Sequence, residues 1–139
     1  MEPARTHVWT SQIVVRWGDM DYYGHVNNTQ YFRYFEQARV EWIEHLGYPV
    51  GPEQPEGAVI IHADCTFLLP VTYPATVEVK VYVGEPGRSS VMTWYEMRLV
   101  GDERIHAQGS AKVVWMDNAT GKSAPLPEGL RHRIVTMQL

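Results

Sequence analysis

From residue 31 to 46 the apolar residues recur at helical spacing. Wound at about 100° per residue, Tyr31, Tyr34, Phe35, Ala38, Trp42 and Leu46 fall on one face. Phe32 and Ile43 widen that face on one flank, while Arg33, Glu36, Gln37, Glu41 and Glu44 lie opposite, with Val40 an apolar exception among them. A stripe this wide and this aromatic predicts a helix wrapped over much of its girth. Asn27 suits its N-cap, with Gln30 as a capping-box partner. Gly47 suits the residue just past its end, and Pro49 blocks continuation.

The remaining segments read as strands. Residues 13–17 form a short β-branched run, and 58–69 a second. Val77, Val79, Val81 and Val83 alternate with Glu78, Lys80 and Tyr82, a clean period of two. Glu85-Pro86-Gly87 turns the chain into a long strand, 90–100. Gly101-Asp102 is a two-residue hairpin signal, and 103–116 returns. Residues 126–135 predict a short terminal helix. Consecutive hairpins imply antiparallel pairing. The expected class is α+β: one long helix wrapped by a curved antiparallel sheet of about five strands.

Length and composition narrow the function. The 139 residues, with 45% hydrophobic and 20% charged, suit a single domain, 1–139, with an ordinary core. A net charge of −4 and no run of like charge give nucleic acid no footing as a partner. The single cysteine, Cys65, allows no internal disulfide and no multi-cysteine metal site, and it reads as inert packing in an apolar strand. No stretch approaches the ~18 apolar residues of a membrane span. Residues 1–12 lack the apolar core of a leader, so cytoplasm is the expected location and Asn118-Ala119-Thr120 reads as a chance sequon. There is no G-x-S-x-G elbow, no phosphate-binding G-x-x-x-x-G-K-[ST] loop and no G-x-G-x-x-G turn.

Chemistry concentrates between the first strand and the helix. Residues 16–28 hold two acids two apart (Asp19, Asp21), His25 four beyond the second, and Asn27-Asn28 opening the helix. Gly18 and Gly24 let backbone approach a ligand closely. A helix N-terminus presents unpaired N–H groups and partial positive charge, which could hold an oxyanion. A carboxylate beside it could attack a carbonyl or activate water, and His25 could orient water or take a proton. From the residues alone, Asp21 as a plain helix cap is the commoner reading.

The run D-x-D-x-x-G-H-V-N-N-x-x-Y-x-x-[YF]-F-E-x-A-R, from Asp19 to Arg39, resembles the signature of hotdog-fold acyl-CoA thioesterases, the 4-hydroxybenzoyl-CoA thioesterase group and the bacterial acyl-CoA thioester hydrolases. The H-V-N-N core is also similar to plant acyl-ACP thioesterases. The resemblance implies Asp21 as the catalytic carboxylate, the Asn28 amide as the carbonyl-polarising donor, and Asp19 as a loop brace. From the plant relatives it implies a catalytic His25, although Tyr23 stands where they carry asparagine. Gly24 and Tyr31 belong to the same motif and are expected to border the substrate. In relatives the turn that matches Arg88, Ser89 and Ser90 contacts coenzyme A, and an Arg fork with two hydroxyls suits phosphate oxygens; a solvated hairpin tip is the plain alternative. An acyl-CoA substrate, no cofactor and no metal are implied, and so is a homo-oligomer, dimer or tetramer, with sites between protomers.

Other readings stay open. A hotdog dehydratase needs a His/acid motif that is absent here. A thioester-binding module without turnover, or an acyl-ACP thioesterase, would keep the fold; a pure binding module has no need of the Asp21 carboxylate. His62 and Asp64 share a strand face and, with His25 or His106, come nearest to a metal set, but at no recognised spacing. Glu36 and Arg39 are placed to pair across one helical turn, although Arg39 falls on the apolar flank. Trp94, Tyr95 and Trp115 read as core or subunit contacts, some lining an acyl pocket.

Overall fold

A computed structural model describes residues 4–138. Residues 1–3, part of the segment read above for a leader, and residue 139 lie outside the described residues. Five strands, β1 (Thr6–Val14), β2 (Glu56–Phe67), β3 (Thr76–Val83), β4 (Ser90–Leu99) and β5 (Ala107–Asp117), form one sheet in the order β1-β3-β4-β5-β2, with every pair antiparallel. Helix α1 (Asn28–His45) follows β1, and α2 (Glu128–Gln138) ends the chain. Among the described residues no helix is long and apolar enough to cross a membrane.

The period of two in β3 does what it predicts. Val77, Val79, Val81 and Val83 are wholly buried, and across the register Tyr95 and Met97 of β4 face the same way. Burying each such side chain contributes roughly 1.5–3 kcal/mol. Tyr31, Tyr34, Phe35 and Ala38 lay the helix stripe on this face. Its C-terminal end, Trp42 and Ile43, joins Leu126, Leu130 and Ile134 of the α2 region in an adjoining cluster. Helix α1 packs mainly on β1 and β3 and only lightly on β2.

Three boundaries depart from the pattern. The first strand starts at Thr6, not residue 13, because a largely polar run pairs with β3 from Thr6↔Val83 to Val14↔Thr76, with one register shift between His7 and Trp9. It ends before Trp17, which sits in a single 3₁₀ turn, Trp17–Asp19, with its ring exposed. The hairpin at Gly101-Asp102 is longer than two residues, since β5 begins only at Ala107. Gly101 turns with φ +89°, and the Asp102 carboxylate then accepts from the Arg104 backbone N–H (2.9 Å) and guanidinium (2.9 Å to Nη2), gathering the loop around itself. These Arg104 hydrogen bonds hold the Asp102 carboxyl down at about 2.

Gly109 of β5 has a steric reason to lack a side chain. A Cβ there would press on the Asp64 carbonyl and come within 2.8 Å of Phe35. Gly109→Ala is expected to lose about 1–3 kcal/mol through overpacking, read as a lower urea midpoint. Asp102 gives a pH signature. Its folded pKa lies below its unfolded value, so its stabilisation is present above the ordinary carboxylate range and is lost as pH falls toward about 2. Asp102→Asn should therefore lower stability near neutral pH, converge with wild type as pH falls toward about 2, and so flatten the acid limb of a stability-against-pH curve.

Candidate active site

The segment from Met20 to Val26 is a small closed loop. Met20 and Val26 form an isolated bridge, the Val26 N–H donates to the Val71 carbonyl (2.8 Å), and the Asn27 N–H to the Asp19 carbonyl (3.0 Å). Inside it the Asp21 N–H donates to the His25 carbonyl (3.0 Å), and Gly24, at φ +82°, donates back to the Asp21 carbonyl (3.0 Å). A side chain at that φ is strained, so glycine is the natural occupant.

The two acids have separate duties. Asp19 is buried, and its Oδ2 accepts from the Tyr34 hydroxyl (2.8 Å) and the Arg16 N–H (3.0 Å). Burial and this acid neighbour push the Tyr34 phenol well above its ordinary pKa, so Tyr34 stays a donor. Asp19 is thus a brace tying the loop to α1. Asp21 is half-buried. Its Oδ1 accepts from the Tyr23 N–H (2.9 Å) and its Oδ2 from the Asn27 side-chain amide (2.9 Å).

Asn27 faces both ways. Its Oδ1 accepts from the Thr29 N–H (2.9 Å) and hydroxyl (2.6 Å), capping α1, while its amide nitrogen holds Asp21. The cap was legible in the sequence; the second bond was not, since nothing in the spacing of 21 and 27 announces it. Gln30 completes the cap with its backbone, donating to the Asn27 carbonyl (2.9 Å), and not with its side chain. Among the described residues no hydrogen bond engages the Asn28 N–H, which is left as an open donor at the helix start.

The other expected residues scatter. His25 is exposed, and its ring has no partner among the described residues. Gly24 is exposed. Tyr31 is buried against the edge of Phe67 (4.9 Å, 85°). Arg88, Ser89 and Ser90 precede and open β4, whereas the Asp21 loop borders its other end, where the Val100 N–H reaches the Thr76 carbonyl and Val15 reaches Ala75. A ten-residue strand spans ~30 Å, so one chain does not bring this tip to Asp21. The tip's carbonyls are engaged instead: Arg88 O accepts from Leu126 N–H (2.9 Å) and Arg131 Nη2 (3.0 Å), and Ser89 O from Trp115 N–H (2.7 Å).

The loop and the edge strand β2 both expose apolar side chains. Trp17 (77%), Tyr22 (104%) and Tyr23 (87%) are open to solvent. The edge strand β2 exposes Val59, Ile61 and Phe67, with Leu68 just beyond. His62 pairs with Asp64 at 3.5 Å, and Asp64 also accepts from Ser110 (2.7 Å). No cluster of three or more metal-ligating side chains occurs among the described residues. Burial, then the charge of Asp64, raises the Cys65 thiol to about 11, which leaves it unreactive at neutral pH. Glu36 pairs with Arg33 (3.1 Å) and not with Arg39, which turns inward.

The family model of the Thioesterase-like superfamily matches residues 15–134. The chain belongs to that superfamily. Among solved structures it is similar to the PA2801 protein of Pseudomonas aeruginosa, a candidate thioesterase, at 43% identity and a TM-score of 0.89, covering 92% of this chain and 98% of that one. It is also similar to a thioesterase of Thermus thermophilus solved with coenzyme A and zinc, at 28% identity and a TM-score of 0.80, covering 96% of each chain. Among curated proteins a candidate esterase of Aquifex aeolicus is 33% identical over 76 residues, 53% of this chain; the match spans 59% of that relative's length. As in the similar solved structures, the fold is the hotdog arrangement, with a long helix against a five-stranded antiparallel sheet.

The double role of Asn27 can be tested without substrate. Asn27→Ala should cost about 1 kcal/mol of stability through the lost cap, measured by thermal unfolding. Asn27→Ser restores a capping oxygen and should recover most of it, while still lacking the amide that holds Asp21.

Proposed function

We propose that the chain hydrolyses acyl-CoA thioesters, with Asp21 as the reacting carboxylate. One observation carries this: a single side chain, Asn27, ties the half-buried Asp21 carboxylate to the start of α1, whose Asn28 N–H is open. In this reading the thioester carbonyl oxygen accepts from the Asn28 N–H, reinforced by the positive end of the helix. Asp21 then either attacks the carbonyl carbon or removes a proton from an attacking water. By either route the C–S bond breaks, water supplies the hydroxyl of the product acid, and the thiolate leaves with a proton. Tyr23 N–H and the Asn27 amide fix the carboxylate's aim by occupying one lone pair on each oxygen. His25, exposed and unpaired on the same loop, assists by orienting water or shuttling that proton.

The working unit we propose is an oligomer. The Arg88–Ser90 tip lies a strand's length from Asp21 in one chain, so a coenzyme A held by both draws the tip from a neighbouring protomer. The free edge of β2, with its exposed Ile61 and Phe67, is the surface for edge-to-edge pairing of two copies. The superfamily match and the coenzyme A complex of the Thermus thermophilus relative support the substrate class.

The test is thiol release from a panel of aromatic and aliphatic acyl-CoAs, for wild type beside Asp21→Asn. The wild type should turn over some members, and the variant should lose roughly 10²-fold or more in kcat. Equal turnover in both proteins would remove Asp21 from the chemistry. Detectable acyl-CoA binding with no turnover in the wild type would point instead to a binding module.

A further inference from the structure

Arg39 is only 8% exposed, yet no carboxylate among the described residues pairs with it. Its one hydrogen bond runs from Nη1 to the Tyr95 hydroxyl (2.9 Å). That bond belongs to a directed chain. The Thr93 hydroxyl donates to the Ala111 carbonyl (2.8 Å), so at 2.7 Å it can only accept from Tyr95, and Tyr95 in turn accepts from Arg39. Tyr95 is itself clamped by stacking on Phe35 (4.9 Å, 12°). The chain fixes the guanidinium in place, but every other member is neutral. A charge withdrawn from water without a counter-charge is strongly unfavourable, so this site calls for an anion.

The space for one is beside it. Two cavities, of about 570 and 210 Å³, lie between α1 and β2, where the helix packs lightly, and share Glu36, Arg39 and Ile60 as walls. The smaller begins at Phe32, one turn past the open Asn28 N–H, and is walled by Phe35 and Tyr95. The larger continues toward Ile43 and Trp115. Two carboxylates border them, but each has another partner: Glu36 the guanidinium of Arg33 (3.1 Å), Glu56 the indole N–H of Trp115 (2.7 Å). From Asn28 to Arg39 the helix rises ~16 Å, and its side chains lean back toward its start.

We propose that Arg39 is a specificity-determining residue of the acyl site, one that binds a carboxylate at the far end of the substrate's acyl group. The inference rests on the thioesterase reading and deepens it. The apolar walls take the body of the acyl group, and the fixed guanidinium takes its anionic terminus through the nitrogens that Tyr95 leaves free. The substrate class is then acyl-CoA bearing an ω-carboxylate.

The experiment uses matched pairs of acyl-CoAs, short to long, each pair differing only in an ω-carboxylate or an ω-methyl group. Wild type, Arg39→Gln and Arg39→Lys are assayed on both members. At the length that reaches Arg39, the wild type should favour the ω-carboxylate. Arg39→Gln should lose roughly tenfold to a hundredfold in kcat/KM on that member, the range of a charge-assisted hydrogen bond, and little on the ω-methyl member. Arg39→Lys should recover part of the preference, a result that loss of packing would not produce. A wild type that favours ω-methyl at every length, or an Arg39→Gln that slows both members equally, overturns the proposal. So does an Arg39→Gln that dissociates on size exclusion, which would give the guanidinium a carboxylate in a second copy. Hydrolysis of no thioester would sink the thioesterase reading separately. In that case non-hydrolysable thioether pairs decide Arg39: the ω-carboxylate analogue must raise the melting temperature of wild type more than the ω-methyl one, and the difference must vanish in Arg39→Gln.

Discussion

The Asn27 side chain is the joint on which the site depends. Its oxygen completes the first turn of α1, and its nitrogen holds Asp21. Helix registration and carboxylate aim are therefore not independent. The start of α1 cannot shift on the sheet without straining the bond that holds Asp21. The Asp19–Tyr34 bond repeats the coupling about two turns further along, from a buried acid to a buried face of the same helix. Two short bonds thus carry the rigidity of the core into a segment that would otherwise be an exposed connection.

The helix also sets where empty space can be. Valines at alternate positions of β3 present a smooth buried surface, and the aromatic face of α1 settles there. Gly109, bare of a side chain, admits Phe35 close to β5. The far side of α1, toward β2, is left underfilled. A fold that packed this seam as tightly as the β3 side would have a better core and no cavities there. Room for any ligand comes at the cost of close packing in this way.

Periodic segments were the most legible in the sequence. The α1 stripe, its Asn27 cap, the β3 alternation and the five-stranded antiparallel class all follow from spacing and propensity, and the motif from Asp19 to Arg39 pointed to the superfamily. Three things escaped for a common reason: each depends on a partner that local spacing does not reveal. The polar first half of β1 becomes a strand only because β3 is beside it. The two-residue hairpin signal at Gly101-Asp102 lost to the hold of Asp102 on Arg104. The inward turn of Arg39 needed Tyr95, which stands far along the chain on another element. Local patterns specify faces; they do not say which buried polar group will meet which.

The strand order has a consequence for how the chain comes to be folded. Strand β2 is made directly after α1, yet its sole neighbour in the sheet is β5, completed only at Asp117. During synthesis, residues 56–67 must wait for roughly fifty further residues before their backbone hydrogen bonds can close, while β1, β3 and β4 can already zip together. Such long-range closure is slow, and a waiting apolar strand is the kind of segment that engages the wrong neighbour. Strand β2 is thus secured last on the side that faces β5, and on its other side it stays an unpaired edge in the finished sheet.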